Sequence, residues 1–422
     1  MSQKHRPSQT PPPPITDPDE VAAIADEIAE HGLMAFDIEF VSADRLIPEL
    51  ALIQVGWGQP ESPRVAAIDC LAVDATPLLE LVASPDVTAV LHSARQDLGL
   101  LAVRHGITAQ SMWDSQIAAA FAGIGDQIGY GRMIEQLLGV TLDKGAQFTD
   151  WLKRPLSAKQ LRYALDDVRY LVPAWFELRR RLVELGRLDW VREESQRLAD
   201  SVGPLPDSAE AYREVKGWRG LRGRALGSLQ ALAAWRQDQA VASNKPLSWI
   251  VPDRSMIELC RAGAATERAI RSVRGIGDGI ARRHGQAIIE AIAAGAANKP
   301  PPAEVETKPR RSARAQVWAA ILANLVAARS TAAGIAPRFV ATRAEAEILA
   351  AWFDRNPDGD PDRDGLDIDL LKGWRRQLAG DAALAWLRGE IAIRMDSGPA
   401  GLDFIDTIWR ESDDRDDGDH GW

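Results

Sequence analysis

Cysteine is almost missing: Cys70 and Cys260 are the only two in 422 residues. That excludes a secreted scaffold held by disulfides and indicates a reducing compartment. Histidine is scarce as well, with six in the chain, and none stands in a zinc-type Cys/His spacing. No uninterrupted apolar run reaches transmembrane length. The first residues, MSQKHRPSQTPPPP, lack the apolar core of a signal peptide and read as a Pro-rich disordered tail over 1–16. These absences predict a cytoplasmic protein without membrane association. A Walker A motif and a nucleophilic Ser–His pairing are also missing, which excludes P-loop and serine-hydrolase chemistry.

What is present is unevenly distributed. The formal net charge is -10, a balance that does not advertise nucleic-acid binding. Yet residues 208–300 hold 15 Lys and Arg against 8 Asp and Glu, a local excess of seven positive charges. Acidic clusters at 354–369 and 411–419 carry the opposite sign. Regional charge matters more than the total for steering a polyanion. Pro-containing breaks, SVGPLP at 201–206 and NKPPPAEVETK at 298–308, divide a chain long enough for two to four domains.

The first section mixes strand and helix periodicities. Ile24, Ala25, Ile28 and Ala29, with Asp17 and Asp19 as candidate caps, predict a helix over 17–31. Apolar runs predict strands at 33–40, 50–58 and 64–70, whose short separations favour antiparallel pairing. A helix at 76–83 and a fourth strand at 88–92 follow, the strand entering a helix over 94–105. Further helices are expected at 111–121, 130–138 and 157–171, and an amphipathic stretch over 173–198 closes the section. This order predicts a mixed α/β domain with a central sheet. From 208 to 297, and again from 312 to about 393, the pattern is helical, with SWIVPD at 248–253 strand-like and RNPDGDPDRDG an Asp-rich loop.

The first strand carries Asp37 and Glu39. Residues i and i+2 of a strand share a face, so the two carboxylates stand side by side. Two readings stand: a solvated strand end, or a hard-oxygen site for Mg²⁺ or Mn²⁺ that relieves their repulsion. Three further stretches hold acids. VLHSARQDLGLL puts Asp97 just inside a helix that follows a strand. MWDSQIAAAFAG puts Asp114 at a helix N-cap. QLRYALDDVRYL puts Tyr163 and Asp167 four apart, on one helix face. Each has a structural explanation alone: a surface acid, a cap, a core aromatic with a wet hydroxyl. His92 reads as a structural histidine at a strand end.

Taken in order, FDIEF, HSARQDL and RYALDDVRYL resemble the motifs of the DEDD exonuclease superfamily and, within it, the ribonuclease D family. Tyr163 and Asp167 fit the Tyr-x-x-x-Asp form of the tyrosine subclass, and that spacing selects Asp167 over the adjacent Asp166. GVTLDKGAQFTDWLKRPLS and YALDDVRYLVP extend the likeness, which covers about 20–200. Ile38 departs from it, since Thr usually stands between the two acids; in a strand Ile38 faces away from them. The resemblance implies a ribonuclease H-like mixed sheet flanked by helices. It implies that Asp37, Glu39, Asp97 and Asp167 hold two divalent ions, Mg²⁺ or Mn²⁺, with Asp37 bridging both and Tyr163 positioning the attacking water. The implied reaction is 3′→5′ hydrolysis of RNA with a free 3′ end, tRNA precursors in particular, releasing nucleoside 5′-monophosphates without an obligate protein partner. A 3′→5′ DNA exonuclease is the alternative among enzymes, because the acids do not distinguish the two sugars. A non-catalytic RNA-binding scaffold is the alternative outside them, and the intact acids with Tyr163 argue against it.

The helical half resembles the HRDC domain through Trp235-Arg236, Lys245 and SWIVPD, and the resemblance implies two all-α HRDC-like domains. Lys216, Arg219, Arg222, Arg224, Arg282 and Arg283 are candidate phosphate contacts as a cluster. The glycines of RGIGDG at 274–279 either let a turn approach a phosphate or build a helix–turn–helix corner. Arg310, Arg311 and Arg314 lie at the entrance of the second helical section. The loop from Asp360 mimics the start of an EF-hand, but Leu371 occupies its twelfth position in place of Glu, so an acidic loop is expected and not a calcium site. The expected partition is a tail at 1–16, an exonuclease domain at 17–203, an HRDC domain at 208–297, a linker at 298–312, a second HRDC-like domain at 313–393 and an acidic tail at 394–422.

Overall fold

Alternation gives the strand Leu33–Val41 (β1) two unlike faces. Met34, Phe36 and Ile38 enter a core with the helix Pro18–His31 (α1), while Ala35, Asp37 and Glu39 face the other way. The structure is a computed structural model and describes residues 10–143, 145, 149–302, 312–395, 398 and 401–406. The chain forms two units: Met1–Ile117, Gly129–Val183 and Val191–Glu306 in one, and Ala118–Ile128, Glu184–Trp190 and Thr307–Trp422 in the other. Among the described residues no helix is long and apolar enough to cross a membrane.

In the first unit, β1 joins Glu49–Gln59 (β2) and Ser62–Asp69 (β3) in an antiparallel meander. Helix Thr76–Ala83 (α2) leads to Thr88–Leu91 (β4), which runs parallel to β1, and Arg95–His105 (α3) leads to Met112–Asp114 (β5), parallel to β4. The sheet order is β3-β2-β1-β4-β5. The expected helix over 111–121 is thus a strand for its first residues and becomes Ser115–Phe121 (α4) only afterwards. Met112 and Trp113 are buried, and pairing with β4 outweighs the helical pattern downstream. Tyr130–Leu138 (α5), Ala158–Arg169 (α6), Leu171–Glu184 (α7) and Leu188–Asp200 (α8) follow. The single amphipathic stretch expected over 173–198 is two helices, with Gly186 at φ +66° between them.

The positively charged section belongs to the same unit. Its helices are Gly223–Ser243 (α9), Leu247–Ile250 (α10), Asp253–Ala262 (α11), Glu267–Arg271 (α12) and Asp278–Ala297 (α13). SWIVPD is therefore helical at its start and not a strand: Ile250 and Val251 are core residues while Trp249 stays exposed. Arg236 is buried in this core, donating to Asp253 Oδ1 at 2.6 Å and to the carbonyl of Val251 at 3.0 Å. Asn244, in the left-handed region at φ +45°, ends α9. Its Oδ1 accepts from the Ile47 N–H at 2.8 Å, its Nδ2 donates to the Ile47 carbonyl at 3.3 Å, and its own carbonyl accepts from Leu46 N–H at 3.4 Å. Leu46, from the β1–β2 loop, packs against the helical core.

The second unit contains Ala313–Ala332 (α14), Pro337–Val340 (α15), Arg343–Arg355 (α16), Gly373–Arg375 (α17) and Asp381–Leu387 (α18). Residues from much earlier in the chain complete its aromatic core. Phe121 lies 4.9 Å from Phe339, and Trp190 stacks on Trp374 at 4.9 Å. Ile391–Met395 (β6) and Leu402–Asp406 (β7) pair as an antiparallel hairpin. The start of the expected acidic tail at 394 is therefore part of a strand, formed by the alternating β-branched and aromatic residues there. The rest of that tail, from 407, and most of the Pro-rich tail lie outside the described residues, as do Arg310 and Arg311. In the Asp-rich loop, Asp362 binds Arg376 at 2.8 Å and Asp364 binds Arg363 at 2.9 Å, so these acids answer arginines.

Candidate active site

The acids converge because α6 lies across one face of the sheet. Ser157 and Gln160 start α6 with a reciprocal capping box. Its inner residues Leu161, Ala164 and Leu165 pack on Leu52 and Ala67. The approach is close at Gly56, where a Cβ would lie 2.8 Å from the Val168 carbonyl oxygen. The register sets Asp37 opposite Gln54 and Glu39 opposite Leu52, so these side chains share the face that α6 covers. Ile38 faces the opposite core, as its strand position requires.

Carboxylate oxygens of Asp37, Glu39 and Asp167 all lie within 4.8 Å of one another. Asp97 enters from the first turn of α3 and is not part of that tightest group, although its charge acts on Glu39. Burial is the leading cause of every shift in the set. It lifts Asp37 to about 7, against a hydrogen bond from the Ile38 backbone. Glu39 rises to about 9 through burial and then the charges of Asp37, Asp167 and Asp97. Asp97 is raised well above the carboxylate range by burial, Asp37 and Asp114, and Asp167 by burial and Asp37. None of the four makes an ion pair among the described residues. Hard oxygens gathered from strand and helix, unpaired with lysine or arginine among the described residues, are a donor set that fits Mg²⁺ or Mn²⁺. Tyr163 hydrogen-bonds Asp167 one turn along α6; burial and then the charges of Asp167, Glu39 and Asp37 hold its hydroxyl protonated far above neutral pH.

A cavity of about 260 Å³ opens beside Tyr163 and Asp167. Its other walls are Gly129, Tyr130, Gly131, Arg132, Leu142, Asp143 and Asp166. Tyr130 donates to the Asp166 carbonyl at 2.9 Å, and its ring meets the edge of His92. Sequence reasoning did not select Tyr130 or Arg132, whose segment carries no acid motif, nor Asp143, which lies within GVTLDKGAQFTDWLKRPLS without being singled out; the folding of 129–143 beside α6 brings them in. It also missed Gln54, whose fully buried carboxamide has no hydrogen-bond partner among the described residues, and the pairing of Asp69 with Arg154. Arg154 grips Asp69 with two bonds of 2.6 Å and also donates to the carbonyls of Ala51 at 2.9 Å and Trp151 at 2.6 Å. That clamp fixes the loop that leads into α6.

The basic candidates fall in two places. Lys216, Arg219, Arg222 and Arg224 are exposed around the start of α9, and Arg282 and Arg283 are exposed near the start of α13. Arg219 lies over Trp218 at 4.9 Å, and Arg222 donates to the carbonyls of Arg219 and Leu221. Arg282 donates to the Asp278 carbonyl at 3.3 Å. The RGIGDG turn is fastened to α11, since Ser255 donates to the Arg274 carbonyl at 2.9 Å. Arg314 is engaged with Asp354 at 2.6 Å.

Comparison with known proteins covers nearly the whole chain. A 3′-5′ exonuclease family model matches residues 12–183, and an HRDC domain model matches 225–292. Ribonuclease D of Acidiphilium cryptum is 36% identical over 396 residues, 92% of this chain and 96% of that protein. Ribonuclease D of Granulibacter bethesdensis is 34% identical over 403 residues, 94% of this chain and 98% of that one. The crystal structure of Escherichia coli RNase D, an exoribonuclease involved in structured RNA processing, matches with a TM-score of 0.75 at 26% identity, covering 89% of this chain and 98% of that chain.

Proposed function

Because the chain belongs to the ribonuclease D family and is a 3′→5′ exoribonuclease, we propose that it trims the 3′ ends of structured RNA, tRNA precursors among them, releasing nucleoside 5′-monophosphates. The observation that carries the site assignment is the convergence of Asp37, Glu39 and Asp167 within 4.8 Å, with no ion pair to any of them among the described residues. With Asp97 they would hold two Mg²⁺ or Mn²⁺ ions, which neutralise charge on the scissile phosphate and acidify the attacking water. The protein's own part is positional. A tyrosine whose pKa is raised is a poor base, so Tyr163 acts as a neutral hydrogen-bonding group that orients the water. Asp167 fixes its hydroxyl through the bond along α6. Arg132, the basic residue of the cavity wall, suits a phosphate of the entering strand. Lys216, Arg219, Arg222, Arg224, Arg282 and Arg283 suit the RNA body through its backbone, which carries affinity without sequence.

The test is trimming of matched RNA and DNA oligonucleotides labelled at the 5′ end, with Mg²⁺ or Mn²⁺. RNA shortened stepwise from the 3′ end, with loss on EDTA and in Asp97→Ala, is the expected result. Full activity in Asp97→Ala would remove Asp97 from the site, and a preference for DNA would overturn the substrate.

A further inference from the structure

Asp97 depends on where α3 begins, and α3 begins without a cap of its own. The residue at its N-cap is Ala94, which has no side chain to bind the first turn. Just before it, Ser93 sits at φ +59°, a left-handed conformation that crowds the Cβ of a non-glycine residue against its backbone. An isolated turn of this kind relaxes unless its surroundings hold it. Here the holder is Asp114, at the end of β5. It is 2% exposed, yet it is a carboxylate with a full set of donors. Its Oδ1 accepts from Ser93 N–H at 3.2 Å and its Oδ2 from Ala94 N–H at 2.9 Å. The same Oδ1 accepts from Gln116 N–H at 2.8 Å and Ile117 N–H at 3.3 Å, which caps α4. The neighbouring Ser115 hydroxyl meets His92 Nδ1 at 2.9 Å. Asp114 is itself placed by its backbone N–H, which donates to the buried Ser195 hydroxyl at 3.1 Å.

We propose that Asp114 is a positioning residue for catalysis: its carboxylate locks the strained Ser93–Ala94 turn and so aims Asp97 at Asp37 and Glu39. The inference rests on the assignment of Asp97 to the active site. Groups that orient the ligands of a metal-assisted site cost about 10–100-fold in activity or metal affinity when they are lost, and Asp114 orients Asp97 through the backbone that carries it. An ordinary helix cap would affect stability alone.

Three full-length variants separate these roles. Asp114→Asn keeps the shape but turns a donor toward Ala94 N–H. Asp114→Asn with Ser93→Gly lets the turn hold its left-handed conformation without strain, and is read against the single Ser93→Gly variant. Ser93→Val, at an exposed position, opposes that conformation while leaving Asp114 intact. Two quantities are measured: kcat and KM on a short RNA, and the rise in thermal midpoint on adding MnCl₂. Asp114→Asn and Ser93→Val are expected to lower kcat about 10–100-fold, with KM nearly unchanged, and to shrink the Mn²⁺-induced rise. The double variant is expected to regain much of both. A lowered midpoint in metal-free buffer, with kcat and the Mn²⁺ response of wild type, would make Asp114 only a cap and overturn the proposal. So would a kcat loss in Asp114→Asn that the glycine does not relieve, or a Ser93→Val enzyme with full kcat. Should Asp97→Ala retain activity, the site assignment fails first, and that result is distinguishable from all of these.

Discussion

The five-stranded sheet carries two groups of carboxylates, and the fold treats them in opposite ways. Asp69, at the end of β3, is 7% exposed at its side chain and is met by Arg154 with two 2.6 Å bonds. Asp37 and Glu39, two strands away, are half-buried beside Asp97 and Asp167 and make no ion pair among the described residues. One group is finished by the protein; the other is left for something from outside. A buried charge with its partner in place holds architecture, whereas half-buried like charges crowded together without one are a cost to the fold and mark function. Arg236 with Asp253 repeats the finished kind in the helical section.

The widest separation between the two kinds comes from removing a charge from each. Asp167→Asn should lower kcat by about three orders of magnitude or more while raising the thermal midpoint of the metal-free protein, because it relieves repulsion. Arg154→Ala should do the reverse: it leaves Asp69 buried without its partner, a loss of about 3–5 kcal/mol in denaturant unfolding, with kcat falling far less. A destabilised Asp167→Asn would erase the distinction.

The pH dependence sharpens it further. Asp37 and Glu39 have folded-state pKa values above their unfolded ones, about 7 and about 9. Their contribution to stability is complete below the unfolded range near pH 4 and is lost as pH rises through those values. In EDTA the midpoint should therefore fall between pH 5 and 9, and Mg²⁺ should flatten the fall. The slope should persist in Arg154→Ala and diminish in Glu39→Gln; an unchanged slope in Glu39→Gln would refute the electrostatic account.

The smallest effects belong to the exposed cations. Lys216→Ala or Arg224→Ala should weaken RNA binding modestly and reduce the slope of log K against log salt by about one each, leaving kcat on a short oligonucleotide alone. A slope that does not move would take those residues off the RNA path.

The pattern of acids was legible in the sequence because it follows local periodicity. Two residues on a strand and four on a helix fix which side chains share a face, and Asp37 with Glu39, and Tyr163 with Asp167, behave accordingly. Helices α2 and α5 start and end where their apolar spacing and flanking residues place them. What stayed hidden depends on distant pairing. Arg154 and Asp69 are 85 positions apart, and nothing near either one signals the other. The three residues of β5 run straight into α4, so the helical pattern absorbed them. Phe121 and Trp190 read as part of the first section but complete the core of the second unit, a partnership that amphipathicity alone does not reveal.

Asn244 carries a consequence for any attempt to dissect the chain. It serves Ile47 as an added strand would, taking its N–H and giving to its carbonyl across 197 positions. The loop it grips is the one that joins the two strands bearing Asp37, Glu39 and Gln54. A chain cut short before α9 is therefore not a catalytic core minus an accessory. It is an enzyme with a frayed hairpin beside its acids: the Ile47 amide loses its partner and Leu46 loses the core it packs against. Truncation then compares two different active-site loops, and a slower truncated enzyme says as much about that hairpin as about RNA held elsewhere.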